Sequence, residues 1–150
     1  MIQRKQTLYL LLLIFTGIGL LFVPSTTVTI KSVSTGIPLL PIHSNEFTPT
    51  AWHYLAMGLN FTAILIAFVT IFLYKNRTVQ MKFCYTLMLF ELSVTLLTSF
   101  SPLIVKSELF LIESTGFGSL IGIIGMMSAY LAARLIKKDI ELLKSADRIR

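Results

Sequence analysis

The stretch CYTLMLFELSVTLLTSF, residues 84–100, is apolar or hydroxyl-bearing along its whole length except for one carboxylic acid, Glu91. A helix of about 20 apolar residues is long enough to cross the roughly 30 Å hydrocarbon core of a bilayer. The apolar run extends over residues 83–104, so we predict a transmembrane helix there. At about 1.5 Å of rise per residue, Glu91 lies roughly 12 Å inside that helix, well within the lipid.

Three other segments have similar length and apolar character, at residues 7–23, 52–74 and 117–136. The chain of 150 residues is 55% hydrophobic and 13% charged, whereas a soluble domain averages about 25% charged residues. We therefore predict an all-α membrane protein with a single membrane domain over residues 1–150, built as a four-transmembrane-helix bundle.

The basic residues are distributed unevenly between the segments that join these helices. If both termini lie in the cytoplasm, eleven of the 13 lysines and arginines fall on that side, and Lys31 and Lys106 lie outside. Because basic residues are retained on the cytoplasmic side during insertion, we predict that both termini are cytoplasmic. The net charge of +6 then reflects topology and attraction to anionic lipid. The basic, aromatic-rich patch typical of nucleic-acid binding is absent from the sequence.

Two longer segments lie outside the predicted spans. The outer loop, residues 24–50, has alternating apolar residues at Val28 and Ile30 ahead of a Ser-Thr-Gly sequence, which suits a short hairpin as well as a plain connecting loop. The cytoplasmic tail, residues 137–150, continues the fourth helix with apolar residues at helical spacing and no glycine or proline to end it. We expect a cytosolic extension of that helix, which lies along lipid headgroups, docks on another protein or is merely solvated.

Three blocks of sequence carry a resemblance: MIQRKQTLYLLL at 1–12, YKNRTVQMKFCY at 74–85 and KKDIELLKSADRIR at 137–150. Together they resemble the signature of a family of small bacterial integral membrane proteins that is known only as a domain of unknown function. The resemblance spans nearly the whole chain and implies four helices in the bacterial cytoplasmic (inner) membrane; it implies no activity. Ile140 departs from the pattern, which has a charged residue there. The matching positions are Gln3, Arg4, Gln6, Tyr9, Asn76, Arg77, Gln80, Cys84, Asp139, Ser145, Asp147 and Arg148.

In the predicted topology these three blocks share the cytoplasmic side of the membrane. Their amides, carboxylates and basic groups could hydrogen-bond the inner loop to the tail, could cap helix ends, or could form a docking surface for a partner. The residues named as candidates for contact with a partner are Arg77, Gln80, Asp139, Lys144, Asp147 and Arg148.

Glu91 is the one acid within the predicted spans, and a charge at a helix centre costs about 2.5 to 3.5 kcal/mol on insertion scales. Helical spacing puts it on one face with two threonines, so that face is predicted to point into the bundle. Counting depth along the other helices brings further polar groups to a similar level. The predicted intramembrane polar residues are Glu91, Thr95, Thr98, Ser128, Tyr130 and Thr16.

The fourth helix has a stripe of small residues, which lets a neighbouring backbone approach closely. We expect the third and fourth helices to pack face to face there, with Glu91 buried at or beside their contact and neutral because it is away from water. Three roles stay open for this acid: a cross-link between helices, a pairing group for another membrane subunit, and a relay for protons or cations. The stripe comprises Gly118, Gly122, Gly125 and Ala129.

Catalytic motifs are absent from the sequence: it has no helix-borne zinc motif, no phosphate-binding loop and no nucleophile elbow. One cysteine and two histidines are too scattered for a metal site, so we expect no catalytic residue, metal or cofactor. The favoured function is a non-catalytic accessory or assembly subunit. It would bind other membrane or cytoplasmic proteins through its cytoplasmic loop and tail, and a homo-oligomer is a further option. The alternative is a small proton-linked transporter or channel that uses Glu91.

Overall fold

A computed structural model describes residues 3–30, 33–40, 51–104 and 111–147. Four helices account for most of this part of the chain, and each is long and apolar enough to cross a membrane, which confirms the predicted number of apolar helices. The helices are α1, Gln3–Phe22; α2, Ala51–Phe72; α3, Arg77–Ile104; and α4, Gly118–Asp147.

The connection between α2 and α3 is shorter than the sequence suggested. A single 3-10 turn, Leu73–Lys75, follows α2, and Asn76 alone separates it from α3. Most of the predicted inner loop, residues 75–82, is therefore helical, because its lysine, arginine, glutamine and methionine residues are good helix formers. At the other end of the chain, α4 continues to Asp147, as the tail pattern predicted. The predictions that concern Lys31, Lys106 and Arg148 lie outside the described residues.

The helices form a ring in which α1 packs on α2 and α4, and α3 likewise packs on α2 and α4. Small residues on α4 permit this closeness. A Cβ atom on Gly122 would overlap with Thr95 Oγ1 of α3, and one on Gly118 would lie 2.7 Å from the Cα of Ser25. Ala129 is fully buried in the same stripe. The third and fourth helices thus pack face to face along the glycines.

A three-stranded antiparallel sheet covers one end of the bundle, which we call the sheet end. Its strands are β1, Thr26–Ile30; β2, Val33–Ile37; and β3, Leu111–Thr115, in the order β2-β1-β3. The hairpin of β1 and β2 follows the alternation in the outer loop. The third strand comes from the loop before α4 and was not predicted. The fold is otherwise helical, in agreement with the predicted four-helix bundle.

Main-chain and side-chain hydrogen bonds fix the sheet to the helices. The amide of Gly116 donates to the carbonyl of Ser25 at 2.8 Å, which joins the start of α4 to the start of the hairpin. Thr26 Oγ1 donates to the carbonyl of Thr98 at 3.0 Å, near the end of α3. The sheet therefore ties three helices together where their chain connections are longest.

The bundle core consists of two apolar clusters, one towards each end. The cluster nearer the sheet end contains Leu20, Leu21, Leu39, Ala56 and Val94. The other lies towards the opposite end, which we call the basic end because its exposed residues include Lys5, Lys75 and Lys82. That cluster contains Leu10, Leu13, Ala63, Ala67, Cys84, Leu87, Ala129, Ala132, Ala133 and Ile136.

Candidate functional site

Between the two apolar clusters, each of the four helices contributes a buried polar side chain. We call this set, Thr16, Asn60, Glu91 and Ser128, the central polar layer; the four side chains are at most 8% exposed. The layer arises because one polar residue interrupts the inward-facing apolar positions of each helix at a comparable depth. It places the only acid of the predicted spans at the centre of the bundle.

Glu91 is 1% exposed and lies against α1 and α4. Its Oε2 and the Oγ1 of Thr16 each lie 3.0 Å from the point that a Cβ on Gly125 would occupy, so no more than twice that distance separates the two oxygens. A side chain at Gly125 would fill the space that Glu91 occupies. The glycine thus creates the room for the acid, in addition to allowing close helix packing.

Neither carboxyl oxygen of Glu91 has a hydrogen-bond partner among the described residues. The neighbouring hydroxyls donate to carbonyls of their own helices instead: Thr95 to Glu91 O at 2.8 Å, Ser128 to Gly125 O at 2.7 Å and Thr16 to Leu13 O at 2.8 Å. Thr98 likewise donates to Val94 O at 2.9 Å. The surroundings are therefore polar, but they do not bond the acid to another helix.

This burial also bears on the role of Glu91 as a pairing group for another subunit. A side chain that is 1% exposed inside a ring of four helices has no surface to offer to a partner in the membrane. That interpretation does not fit the structure. A role inside this chain and a relay for protons or cations both remain.

Two other polar residues are placed differently from the sequence prediction. Asn60 was not among the predicted intramembrane polar residues, but it belongs to the central polar layer, and its Nδ2 donates to Gly17 O on α1 at 3.2 Å. Tyr130 was predicted to be among the interior polar groups, but it is 45% exposed on the outward face of α4. The direction of this side chain on α4 was therefore predicted wrongly.

A second buried polar set lies at the basic end and joins three helices. The Nε2 of Gln6 on α1 donates to Asp139 Oδ2 on α4 at 2.6 Å, and the guanidinium of Arg77 at the start of α3 lies 3.7 Å from the same oxygen. Asp139 is 4% exposed, so the hydrogen bond with Gln6 is shielded from water. We call these three residues the polar clamp.

Gln80 connects the remaining helix to this end of the bundle. Its Nε2 donates to Thr70 O at 3.1 Å, in the last turn of α2, where carbonyls lack a partner within the helix. Gln80 and Asp139 had been named as residues that contact a partner; both are buried and bonded within the chain, so they offer no surface. They continue the inward faces of their helices, since Gln80 precedes Cys84 by four residues and Asp139 follows Ile136 by three.

Beyond the clamp, α4 projects past the other helices. Asp147 lies eight residues beyond Asp139, or about 12 Å further along the helix. In this projection Leu142 and Leu143 are 47% and 50% exposed, and Lys144 is exposed as well. Leu143 follows the buried Ile136 by seven residues, so it prolongs the core-facing stripe into a region above the bundle. We call residues 142–144 the projecting surface.

No three His, Cys, Asp or Glu residues among residues 3–30, 33–40, 51–104 and 111–147 lie close enough together to hold a metal ion. Cys84 is buried in the core cluster of the basic end.

Four candidate spans, identified by length and composition, and two buried polar sets are typical of a multi-pass membrane protein of the helical-bundle class. Within that class, the chain belongs to the family described as domain of unknown function DUF4293, whose model matches residues 2–149. No curated protein and no solved structure matches the chain. The family assignment confirms the resemblance to a domain of unknown function, and it leaves the activity to be inferred from the geometry.

Proposed function

We propose that this protein is a non-catalytic accessory or assembly subunit that binds a partner through the projecting surface of α4. The observation that carries the proposal is the exposure of Leu142 and Leu143 on a helix that continues beyond its own bundle. An apolar stripe that extends beyond the helices it packs on exposes apolar surface to water. This exposure costs about 25 cal/mol of free energy for each Å². A docked partner would recover that free energy.

The charges around the stripe indicate what kind of partner fits. Lys137, Lys138 and Lys144 are exposed on the same stretch of helix, with Glu141 as an exposed acid among them. We propose a partner helix with an apolar face and an acidic rim, in another membrane protein or at the membrane surface. The polar clamp serves this function indirectly, because it holds the root of the projecting helix against α1 and α3.

The orientation and the membrane belong to the same proposal. Eleven of the 13 basic residues lie on one side if the basic end faces the cytoplasm, and the positive-inside rule supports that orientation. Both termini are then cytoplasmic, and the membrane is the bacterial cytoplasmic (inner) membrane that the family resemblance implies. The projecting surface would lie where cytoplasmic and membrane partners can both reach it.

Co-purification in mild detergent tests this function with matched variants. The full chain should bring down a membrane or cytoplasmic protein at fixed stoichiometry. The double variant Leu142→Ser with Leu143→Ser should lose that protein, while Ser145→Ala, in the same exposed turn, should retain it. A chain that purifies alone or only as a homo-oligomer, or a double variant that still holds its partner, would count against the proposal.

The second candidate function is a small proton-linked transporter or channel, and one observation favours it. Both carboxyl oxygens of Glu91 are buried and without a hydrogen-bond partner among the described residues, and buried polar groups are otherwise bonded in the great majority of cases. An acid with vacant hydrogen-bonding capacity can bind and release a proton without breaking helix contacts. Because apolar clusters lie on both sides of it, the bundle would have to open for a proton to reach it.

Proteoliposomes distinguish this candidate from the first. A proton flux measured with a trapped pH-sensitive dye should disappear in Glu91→Gln and persist in Ser93→Ala, whose hydroxyl is exposed two residues further along α3 and donates to Leu89 O at 2.8 Å. Absence of any flux above that of empty liposomes, or equal flux in Glu91→Gln, would remove the transporter from consideration.

A further inference from the structure

The outward face of α4 forms a groove with one tyrosine from α1 and one from α3. Its volume is about 730 Å³, and it lies on the surface of the bundle, away from the central polar layer. Neither Leu142 nor Leu143 of the projecting surface lines it. The tyrosines and basic residues that line it are Tyr9, Tyr85, Tyr130, Arg134, Lys137 and Lys138. We call it the interfacial groove.

The groove changes character along its length. The hydrogen bond between Gln6 and Asp139 puts these residues level, so Lys137 and Lys138 lie at the level of the polar clamp. Tyr130 comes nine residues before Asp139, about 13 Å deeper at 1.5 Å per residue. Leu131 and Leu135 supply an apolar wall between these levels. Lys137 and Lys138 therefore line one end of the groove, aromatic and apolar groups line the other, and Arg134 lies between them.

The charge of the groove is positive. Three basic groups line it against a single carboxylate, Glu141. None of the described carboxylates forms an ion pair with Arg134, although this residue lies about 7 Å deeper than the clamp. A guanidinium near the apolar level extends towards water or binds an anion, and its planar fork matches the oxygens of a phosphate.

We propose that the interfacial groove binds the headgroup of an anionic phospholipid. Arg134, Lys137 and Lys138 hold the phosphate, the tyrosine hydroxyls donate to the glycerol and ester oxygens, and an acyl chain lies along Leu131 and Leu135. Basic pockets between membrane helices are recognised sites for anionic lipid headgroups. A free phosphate ion would satisfy the cations but would leave the aromatic and apolar part of the groove unused, which favours a lipid as the ligand.

Native mass spectrometry of the full chain in detergent tests the proposal with two lipids of identical acyl chains, phosphatidylglycerol and phosphatidylcholine. The anionic lipid should be retained preferentially. The variant Arg134→Gln with Lys137→Gln should weaken its retention about thirtyfold, since each basic residue near an anionic lipid contributes roughly fivefold. Lys75→Gln with Lys82→Gln removes the same charge from exposed residues at the same end of the bundle and should change retention much less.

Three results would overturn the lipid site: equal retention of the two lipids, equal losses in the two double variants, or full displacement of the lipid by inorganic phosphate at the same concentration. Tyr130→Phe is a smaller change, because it removes the hydroxyl and leaves the ring in place. It should still weaken lipid binding severalfold. The variant Leu142→Ser with Leu143→Ser should bind the lipid normally, so this inference stands or fails separately from partner docking.

Discussion

The contact between Gly122 and Thr95 permits a direct test of how α3 and α4 pack. In Gly122→Ala the new Cβ would overlap with Thr95 Oγ1, and it would lie 3.3 Å from the Cβ and 3.4 Å from the Cγ2 of the same residue. Rotation of Thr95 would relieve the first contact, but it would break the hydrogen bond to Glu91 O at 2.8 Å. The helices must otherwise move apart. Overpacking of this kind costs about 1–3 kcal/mol.

Gly58 supplies the matched control, because a Cβ there would meet nothing within 4 Å. Alanine is favoured over glycine in a helix by about 1 kcal/mol, and this gain applies to both substitutions. The difference in stability between Gly122→Ala and Gly58→Ala therefore isolates the clash. For a chain of this size, about 2 kcal/mol corresponds to a difference of roughly 4–8 °C in unfolding midpoint, with Gly122→Ala the less stable.

The chain contains its own probe for the measurement. Cys84 is the one cysteine in the sequence and is fully buried, so a thiol-reactive fluorophore should label it only as the bundle opens on heating. Thr95→Ala removes the Oγ1 and Cγ2 atoms, and the double variant with Gly122→Ala should recover most of the lost stability. Equal midpoints for the two glycine variants, or no recovery in the double variant, would refute the proposed packing.

Three further predictions concern the buried polar groups, and each can be measured by the same thermal unfolding. Asp139→Ala should destabilise the chain by about 2–3 kcal/mol because it leaves Gln6 buried without an acceptor, whereas Asp139→Asn keeps an acceptor and should cost less; equal losses would contradict the clamp geometry. Gln80→Ala should cost about 1–2 kcal/mol, since the carbonyl of Thr70 loses its donor, and an unchanged midpoint would contradict that bond. Glu91→Met should leave stability unchanged or raise it by about 1–2 kcal/mol, because an unpartnered polar group is replaced by an apolar one of similar size; a clear loss would show that the carboxyl cross-links helices.

The sequence predicted the helical part of the fold well, because the information needed is local. About 20 apolar residues in a row identify a candidate span irrespective of its neighbours, and the uninterrupted pattern after Ile136 predicted the long α4. Strand β3 was missed for the opposite reason. Its five residues pair with β1, more than eighty positions earlier in the chain, and so short a segment carries no pattern strong enough to reveal a distant partner.

The polar residues show a similar division between depth and direction. The depth of a residue along its helix follows from counting residues, and this count placed Glu91, Ser128 and Thr16 at one level. The direction in which a side chain points, into the bundle or out of it, depends on which helices are neighbours. For this reason Tyr130 was wrongly predicted to lie in the interior. Gln80 and Asp139 could have been recognised as interior, since each falls in register with buried residues of its own helix. Their charged and amide character instead favoured a surface role, and no spacing along the chain indicated that Gln6 would bond to Asp139.

The two buried acids, Glu91 and Asp139, differ in a way that separates structural from functional interpretations. Asp139 Oδ2 accepts a hydrogen bond from α1 and lies beside a guanidinium of α3, so its free energy of burial is offset by bonds that also fix the arrangement of three helices. Glu91 makes no such bond with the described residues, although Gly125 leaves room for it. A buried acid without partners lowers stability and does little to specify packing. The Glu91→Met measurement therefore tests whether the carboxyl holds the fold together, and the flux of Glu91→Gln in proteoliposomes tests whether it carries a proton.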